Sequence, residues 1–475
     1  MYFTKMLYQT FSLRRMRRRN NLILITIDCL RADYVYNRKD LAPNINDLMY
    51  HGITFVNATS VSYSTPPSFM AMFSKTFPSE FEGILSLKLR GSLVRRIRDA
   101  GYVTTAIHNN PFISRLYGFD EGFNYFYDDL ITSKIIGKES YLLKIRSPLK
   151  GKIKSEFLRK ILQKIYRKIT IKRYRKYNLW ADEINNIFID WLRKEYKDKH
   201  RNKPFFAWLH YMDLHAPYLP PLNYLPSGMS PKEVIRINQM KDQDLFHIRD
   251  KVIELYCASL KYLDHALKRF LERLEELGKL HNTYVIITAD HGHGFWEHGV
   301  LGHLSSCLYE ELIHVPLTII GSDLKLQRVE TPVSLYSLFD IIYELLGIRS
   351  RSLILDGKFD EVKYANISNV ISEGGSVKIP RQRVNRLDFE LSEIAVKIKH
   401  GHYVYKYIFR YNGQHELYNL TKDPLEKRNI ANEDSEIVKK LYDVVLKHQE
   451  KVRIRDEIRN KVVKLRKFRN ISLVK

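Results

Sequence analysis

Five short apolar runs punctuate the chain at residues 22–27, 103–107, 205–209, 284–288 and 315–320, with long amphipathic stretches between them. Runs this short, rich in β-branched and aromatic residues, predict buried strands, and helical patterns between them predict parallel connections. The expected fold is α/β: a three-layer sandwich around a large, mostly parallel central sheet. In such sheets, functional groups collect at the carboxyl ends of the strands. Asp28, His108, His210 and Asp290 each fall at or just after such an end.

The pattern changes after Gly347. Residues 393–408 read as two alternating strands joined at His400-Gly401-His402, followed by a short strand around residues 416–420 and a charged helix from about Ser435. The expected organisation is a basic arm at residues 1–20, a catalytic domain at 21–348, and a small antiparallel C-terminal subdomain with a basic helical tail at 349–475. Within the catalytic domain, residues 131–177 read as a basic insertion. There Leu158, Ile161, Leu162, Ile165 and Ile169 recur at helical spacing among lysines and arginines.

With 475 residues, 44% of them hydrophobic, the chain can bury a large core. Its net charge of +25 is localised. Residues 14–19 carry +5, residues 134–176 carry +14 and residues 451–469 carry +7, leaving the rest of the chain close to neutral. The basic segments therefore suit an anionic partner or surface, separate from the chemistry. Either a solvated helix or an interfacial one accounts for residues 158–169. Nucleic acid is not expected as a partner, because no groove-reading or stacking motif accompanies the charge. Cys29, Cys257 and Cys307 cannot form an even disulfide framework. No run of roughly twenty apolar residues exists to span a membrane, and the N-terminus shows no signal-peptide pattern. Cytoplasmic placement is the expectation, with peripheral contact to an anionic membrane surface left open.

One hydroxyl, Thr65, two strand-end carboxylates, Asp28 and Asp290, and the imidazole of His291 form a plausible shell for one divalent cation, whether calcium, magnesium, manganese or zinc. Taken singly, Asp28 reads equally well as a helix cap and Thr65 as the start of a turn. Their order and surroundings give more. Thr65-Pro66-Pro67-Ser68 is followed by Lys75-Thr76-Phe77-Pro78, and Gly101 to Ala106 by Gly118-Phe119-Asp120-Glu121-Gly122-Phe123. A segment containing His210, Asp213 and His215 comes next, then Thr288-Ala289-Asp290-His291-Gly292 with Glu297-His298-Gly299, His303 and Tyr309-Glu310-Glu311. Glu416 to Leu420 with Asp423-Pro424-Glu426 and Asn429 closes the series. This series resembles the sulfatase family of the alkaline phosphatase superfamily.

The resemblance implies Asp28, Asp290 and His291 as metal ligands and Thr65 as both nucleophile and fourth ligand. His215 and His303 match positions that contact the ester oxygens or protonate the leaving group, and His108, Asn109 and His210 are candidate substrate contacts. Two departures are informative. Sulfatases of the usual kind carry a cysteine or serine, converted to formylglycine, where this chain has Thr65, and an arginine where it has Phe69. Threonine lacks the second oxygen through which a formylglycine hydrate expels sulfate, so its covalent ester must be attacked by water or an alcohol. That in-line route favours phosphoryl groups. Threonine here is similar to the nucleophile of phosphoethanolamine and glycerolphosphate transferases in the same superfamily. Cys29 stands where many members have a second acid, and Asn109 where sulfatases often place a lysine. The expected function is metal-dependent hydrolysis or transfer of phosphate or sulfate esters on a small-molecule, glycan or lipid substrate, without formylglycine. The alternative is a degenerate member that binds anionic lipid or glycan.

Overall fold

The computed structural model describes residues 19–80, 85–87, 92–128, 180–200, 202–303, 307–348, 370–378 and 387–471, with side chains described up to residue 454. The basic arm up to residue 18 and the basic insertion at 131–177 lie outside the described residues, so the amphipathic pattern at 158–169 does too.

Eight strands form the central sheet: β1 (Asn21–Ile27), β2 (Ile53–Phe55), β3 (Val103–Ile107), β4 (Tyr125–Tyr127), β5 (Phe205–Tyr211), β6 (Thr283–Ala289), β7 (Leu317–Ile320) and β8 (Gln327–Val329). Their spatial order is β8-β2-β7-β6-β1-β5-β3-β4. All five predicted runs are strands of this sheet, and every residue of β1, β3, β5, β6 and β7 is buried. The expectation that the run at 315–320 is parallel fails: β7 runs antiparallel to both β6 and β2. The chain leaves β6 at its carboxyl end and stays at that edge, and Leu317 at the start of β7 pairs with Thr288 near the end of β6. A strand that begins where its neighbour ends must run the other way.

Side chains alternate across each strand, so the two faces of the sheet take different partners. On one face Tyr211 donates to Asn185 Oδ1 at 2.5 Å and Phe205 packs edge-on against Phe188, both in the helix Ala181–Trp191. On the other, Trp208 lies 4.8 Å from the rings of both Phe69 and Phe73 in the helix Thr65–Ser74. The sandwich thus has helices on both faces, and truncating a ring such as Phe73 to Ala would cost about 3–5 kcal/mol.

Four further strands make a separate antiparallel sheet: β9 (Val370–Lys378), β10 (Asp388–His400), β11 (Tyr403–Arg410) and β12 (His415–Asn419). The predicted hairpin turn is present, with Gly401 at φ +60, a left-handed position that glycine adopts without steric cost. The helix Ser435–Ile471 follows, and Ile437, Leu441 and Val445 pack it onto Ile394, Val396 and Tyr407 of the sheet. Sequence reading missed β9, whose Gly374-Gly375 pair carries a register shift. No helix among the described residues is long and apolar enough to cross a membrane.

Candidate active site

β1 and β6 are neighbours, and each ends in a carboxylate: Asp28 one residue past Ile27, and Asp290 one past Ala289. Asp28 is not a helix cap, since the next helix starts at Ala32 behind Arg31. Thr65 is the first residue of its helix, behind the cap Ser64, and its hydroxyl points back at the strand ends. Thr65 Oγ1 donates to Asp28 Oδ2 at 3.3 Å and lies 3.2 Å from His291 Nε2. His291 Nε2 is 3.6 Å from Asp28 Oδ1 and 3.5 Å from Asp290 Oδ2. Thr65, Asp28, Asp290 and His291, distant in sequence, therefore converge on one spot.

The protonation of His291 follows from its neighbours. Its Nδ1 lies 2.9 Å from the carbonyl oxygen of Gly292, an acceptor only, so Nδ1 carries the proton and Nε2 presents a lone pair to the carboxylates. Burial lowers its proton affinity further, which keeps the ring neutral. Burial also opposes ionisation of both carboxylates, and the two compete. Asp28, surrounded by His215, His210 and His291, is held well below the usual carboxylate range. Asp290, desolvated and facing that charge, is pushed well above it. Asp290 Oδ2 is fully buried and has no hydrogen-bond partner. A neutral imidazole, two buried carboxylates and an orphaned carboxylate oxygen are a donor set suited to a divalent cation, and Asp28, Asp290 and His291 are close enough to share one.

Gly292 allows this geometry. A Cβ there would sit 2.1 Å from the carbonyl oxygen of Glu311, because Gly292 N and His293 N donate to Leu312 O at 2.8 Å and Glu311 O at 2.7 Å. The turn at Tyr309 to Ile313 thereby presses against the strand end.

Above this spot opens a cavity of about 890 Å³, lined by Thr65, His215 and His303 among others. Much of its wall is apolar, including Phe112, Met212, Ile237 and Leu245. Among the described residues no lysine or arginine lines it. His215 and His303 face each other with ring centres 5.1 Å apart. Burial, followed by the neighbouring His291 and His215, holds His303 well below the usual imidazole range.

The three candidate substrate contacts separate. Asn109 lines the cavity. His108 and His210 do not. His108 is fully buried, 5.1 Å from both Phe126 and Trp208, and neither ring nitrogen has a hydrogen-bond partner. His210 is fully buried beneath Asp28, with Nε2 at 3.5 Å from Asp28 Oδ2 and Nδ1 at 3.0 Å from Thr26 Oγ1. Phe69, where sulfatases place an arginine, packs edge-on against His210 and closes this region with aromatic rings. Phe123 stacks 6.0 Å from Trp208 and, with Tyr125, Phe126 and Tyr127, packs half-buried against the core.

Sequence reasoning missed Asn110, whose Nδ2 donates to Asp28 Oδ2 at 3.2 Å. The signal available was its place three residues past the end of β3, at the same sheet edge. It also missed Arg31, which is buried, holds Glu297 at 2.5 Å and donates to His293 O at 3.0 Å. Glu297, left without a role from sequence, thus braces the loop after β6, and also accepts from Phe295 N at 2.6 Å.

The Sulfatase family profile matches residues 20–348, and the chain belongs to the sulfatase family. A sulfatase of Formosa agariphila is 24% identical over 273 residues, 51% of this chain and 49% of that protein. An arylsulfatase of Clostridium perfringens is 26% identical over 53% of each chain. The chain spans about half the length of these curated relatives. Among solved structures, BT4656 in complex with its substrate D-glucosamine-2-N,6-O-disulfate superposes with a TM-score of 0.62 at 16% identity, covering 92% of this chain and 99% of that one. The phosphonate monoester hydrolase of Agrobacterium radiobacter gives 0.60 at 16% identity, covering 92% and 96%. These two share the fold.

Proposed function

We propose that this protein is a metal-dependent enzyme that cleaves phosphate or sulfate esters through a covalent Thr65 intermediate, with phosphate esters favoured. The observation that carries this reading is the position of Thr65 Oγ1, on a cavity wall and within 3.3 Å of both Asp28 Oδ2 and His291 Nε2. A divalent cation held by Asp28, Asp290, His291 and Thr65 would lower the hydroxyl's pKa and offset charge on the ester. Thr65 attacks the phosphorus or sulfur, its proton released to solvent, while the alcohol leaves on the opposite side. His215, half-buried at the cavity, donates the proton to the departing oxygen, and His303, kept neutral, offers a hydrogen bond to the ester oxygens. Water or an acceptor hydroxyl then releases the threonyl ester, so both hydrolysis and transfer fit this site.

Two features favour phosphorus over sulfur. Threonine cannot use the formylglycine route, and the cationic sulfate contacts of the family are replaced by Phe69 and Asn109. The mostly apolar cavity suits an aryl or alkyl alcohol better than a polysulfated sugar. That the same fold is found in BT4656, whose substrate is D-glucosamine-2-N,6-O-disulfate, and in a phosphonate monoester hydrolase supports testing both ester types.

Aryl phosphate monoesters, diesters and aryl sulfates, assayed with calcium, magnesium, manganese and zinc, test the reading. Turnover should be greatest on a phosphate ester, and intact mass should show a phosphoryl adduct on Thr65. Thr65→Ala and Asp290→Ala should each lose at least about a thousandfold in kcat/KM. Parental activity in either variant refutes the assignment.

A further inference from the structure

Beside the Thr65 cluster lies a second group of donors, two of which, Cys29 and His293, the mechanism leaves unused. Cys29, His293 and His303 each offer one ligand atom, and the three lie within 4.8 Å of one another. Cys29 Sγ is 3.8 Å from His303 Nδ1. His293 is 1% exposed. Its Nε2 is paired with the hydroxyl of Tyr218, and its Nδ1 is buried without a partner. An imidazole with one nitrogen tied to a neighbour and the other open is the arrangement typical of a metal ligand, since the tied nitrogen fixes the ring.

We propose that Cys29, His293 and His303 form a second metal site, of zinc type, next to the Asp28-Asp290-His291 site. The donors decide the metal class. One sulfur and two imidazole nitrogens suit zinc, whereas the oxygen-rich neighbouring site accepts harder cations. Three protein ligands leave a fourth tetrahedral position open, the pattern of catalytic rather than structural zinc. Both His293 and His303 line the cavity, so that position opens toward the ester. Asp28 stands between the two sites, with Oδ1 3.1 Å from Cys29 Sγ and Oδ2 3.3 Å from Thr65 Oγ1. On coordination Cys29 gives up its thiol proton, which passes to solvent as the metal binds. This inference rests on reading the cavity as the active site, and deepens it from one metal to two. Cysteine where relatives carry a second acid then becomes a change of metal preference and not a loss.

Loading the full chain with cobalt(II) alone tests this without any substrate. The parent should bind two ions per chain and show the near-ultraviolet absorption of a cobalt-thiolate bond. Cys29→Ser should fall to one ion per chain and lose that absorption. His293→Gln, which leaves the backbone at Cys29 untouched, should do the same, with circular dichroism checking the fold of each. Asp290→Ala should also fall to one ion but keep the thiolate absorption. One ion in the parent, removed by Asp290→Ala and kept in Cys29→Ser, overturns the second site while leaving the proposed active site intact. Two ions with no thiolate absorption, or absorption that survives in Cys29→Ser, overturns it equally.

Discussion

The Asn110 side chain does two things at once. Its Nδ2 donates to Asp28 Oδ2 at 3.2 Å, and its Oδ1 accepts from Phe112 N at 2.9 Å. Asn110→Ala should therefore lower metal affinity and kcat/KM by about 10–100-fold, as losses of a residue orienting a ligand usually do. Competition against a chelator and steady-state kinetics would measure both. Asp213 illustrates a different effect. Desolvation raises its carboxyl from 3.8 to about 7, even though Ala181 N donates to it. Between those values the folded chain holds a proton that the unfolded chain has released, so stability falls as pH rises from about 4 to about 7, then levels. Asp213→Asn should abolish that fall and gain about 1–4 kcal/mol at pH 8, at about 1.4 kcal/mol per unit. Denaturant unfolding at pH 5 and pH 8 would show it. Neither effect is legible in sequence, because both depend on what lies across from the side chain.

At the scale of elements, the turn carrying Glu310 joins the central sheet to the C-terminal one. Glu310 pairs with Lys397 at 2.7 Å and Lys406 at 3.1 Å, and Lys406 also pairs with Glu426 at 2.7 Å. Glu426 Oε2 accepts from Glu310 N at 2.6 Å. Burial opposes ionisation of Glu310, yet the two lysines outweigh it and hold the carboxyl far below its ordinary value. Glu310→Gln leaves two buried ammonium groups facing one carboxylate, at an expected cost of about 3–5 kcal/mol. A lowered melting temperature and urea midpoint would register that loss. The Glu310-Glu311 and Glu426 motifs were both visible in sequence, whereas their meeting was not. Strand positions were legible because burial on both faces imposes an apolar run; the direction of β7 was not, because periodicity carries no direction.

For the whole molecule, the C-terminal sheet completes the cavity. β9 supplies Gly375, Ser376 and Val377 to its wall, and Glu373 N donates to Val61 O at 2.8 Å in the loop leading to Thr65. Glu373 in turn bonds His448 at 2.8 Å on the final helix. Removing residues 435–475 would take His448 from Glu373, leaving that buried carboxylate only Ser79 among the described residues as a side-chain partner, and strip Ile437, Leu441 and Val445 from the sheet. The shortened chain should melt at lower temperature and lose turnover with KM raised, measured by calorimetry and kinetics side by side. The sequence by itself determined the five apolar strands of the central sheet, the hairpin at Gly401, the family and the order of Asp28, Thr65, Asp290 and His291, since each leaves a local pattern of polarity or spacing. Tertiary structure alone decided that Asn110 reaches Asp28, that His108 and His210 sit beneath the cavity, and that Cys29, His293 and His303 meet. Those contacts join residues up to hundreds of positions apart, and only the packing of one strand end against another brings them within bonding distance.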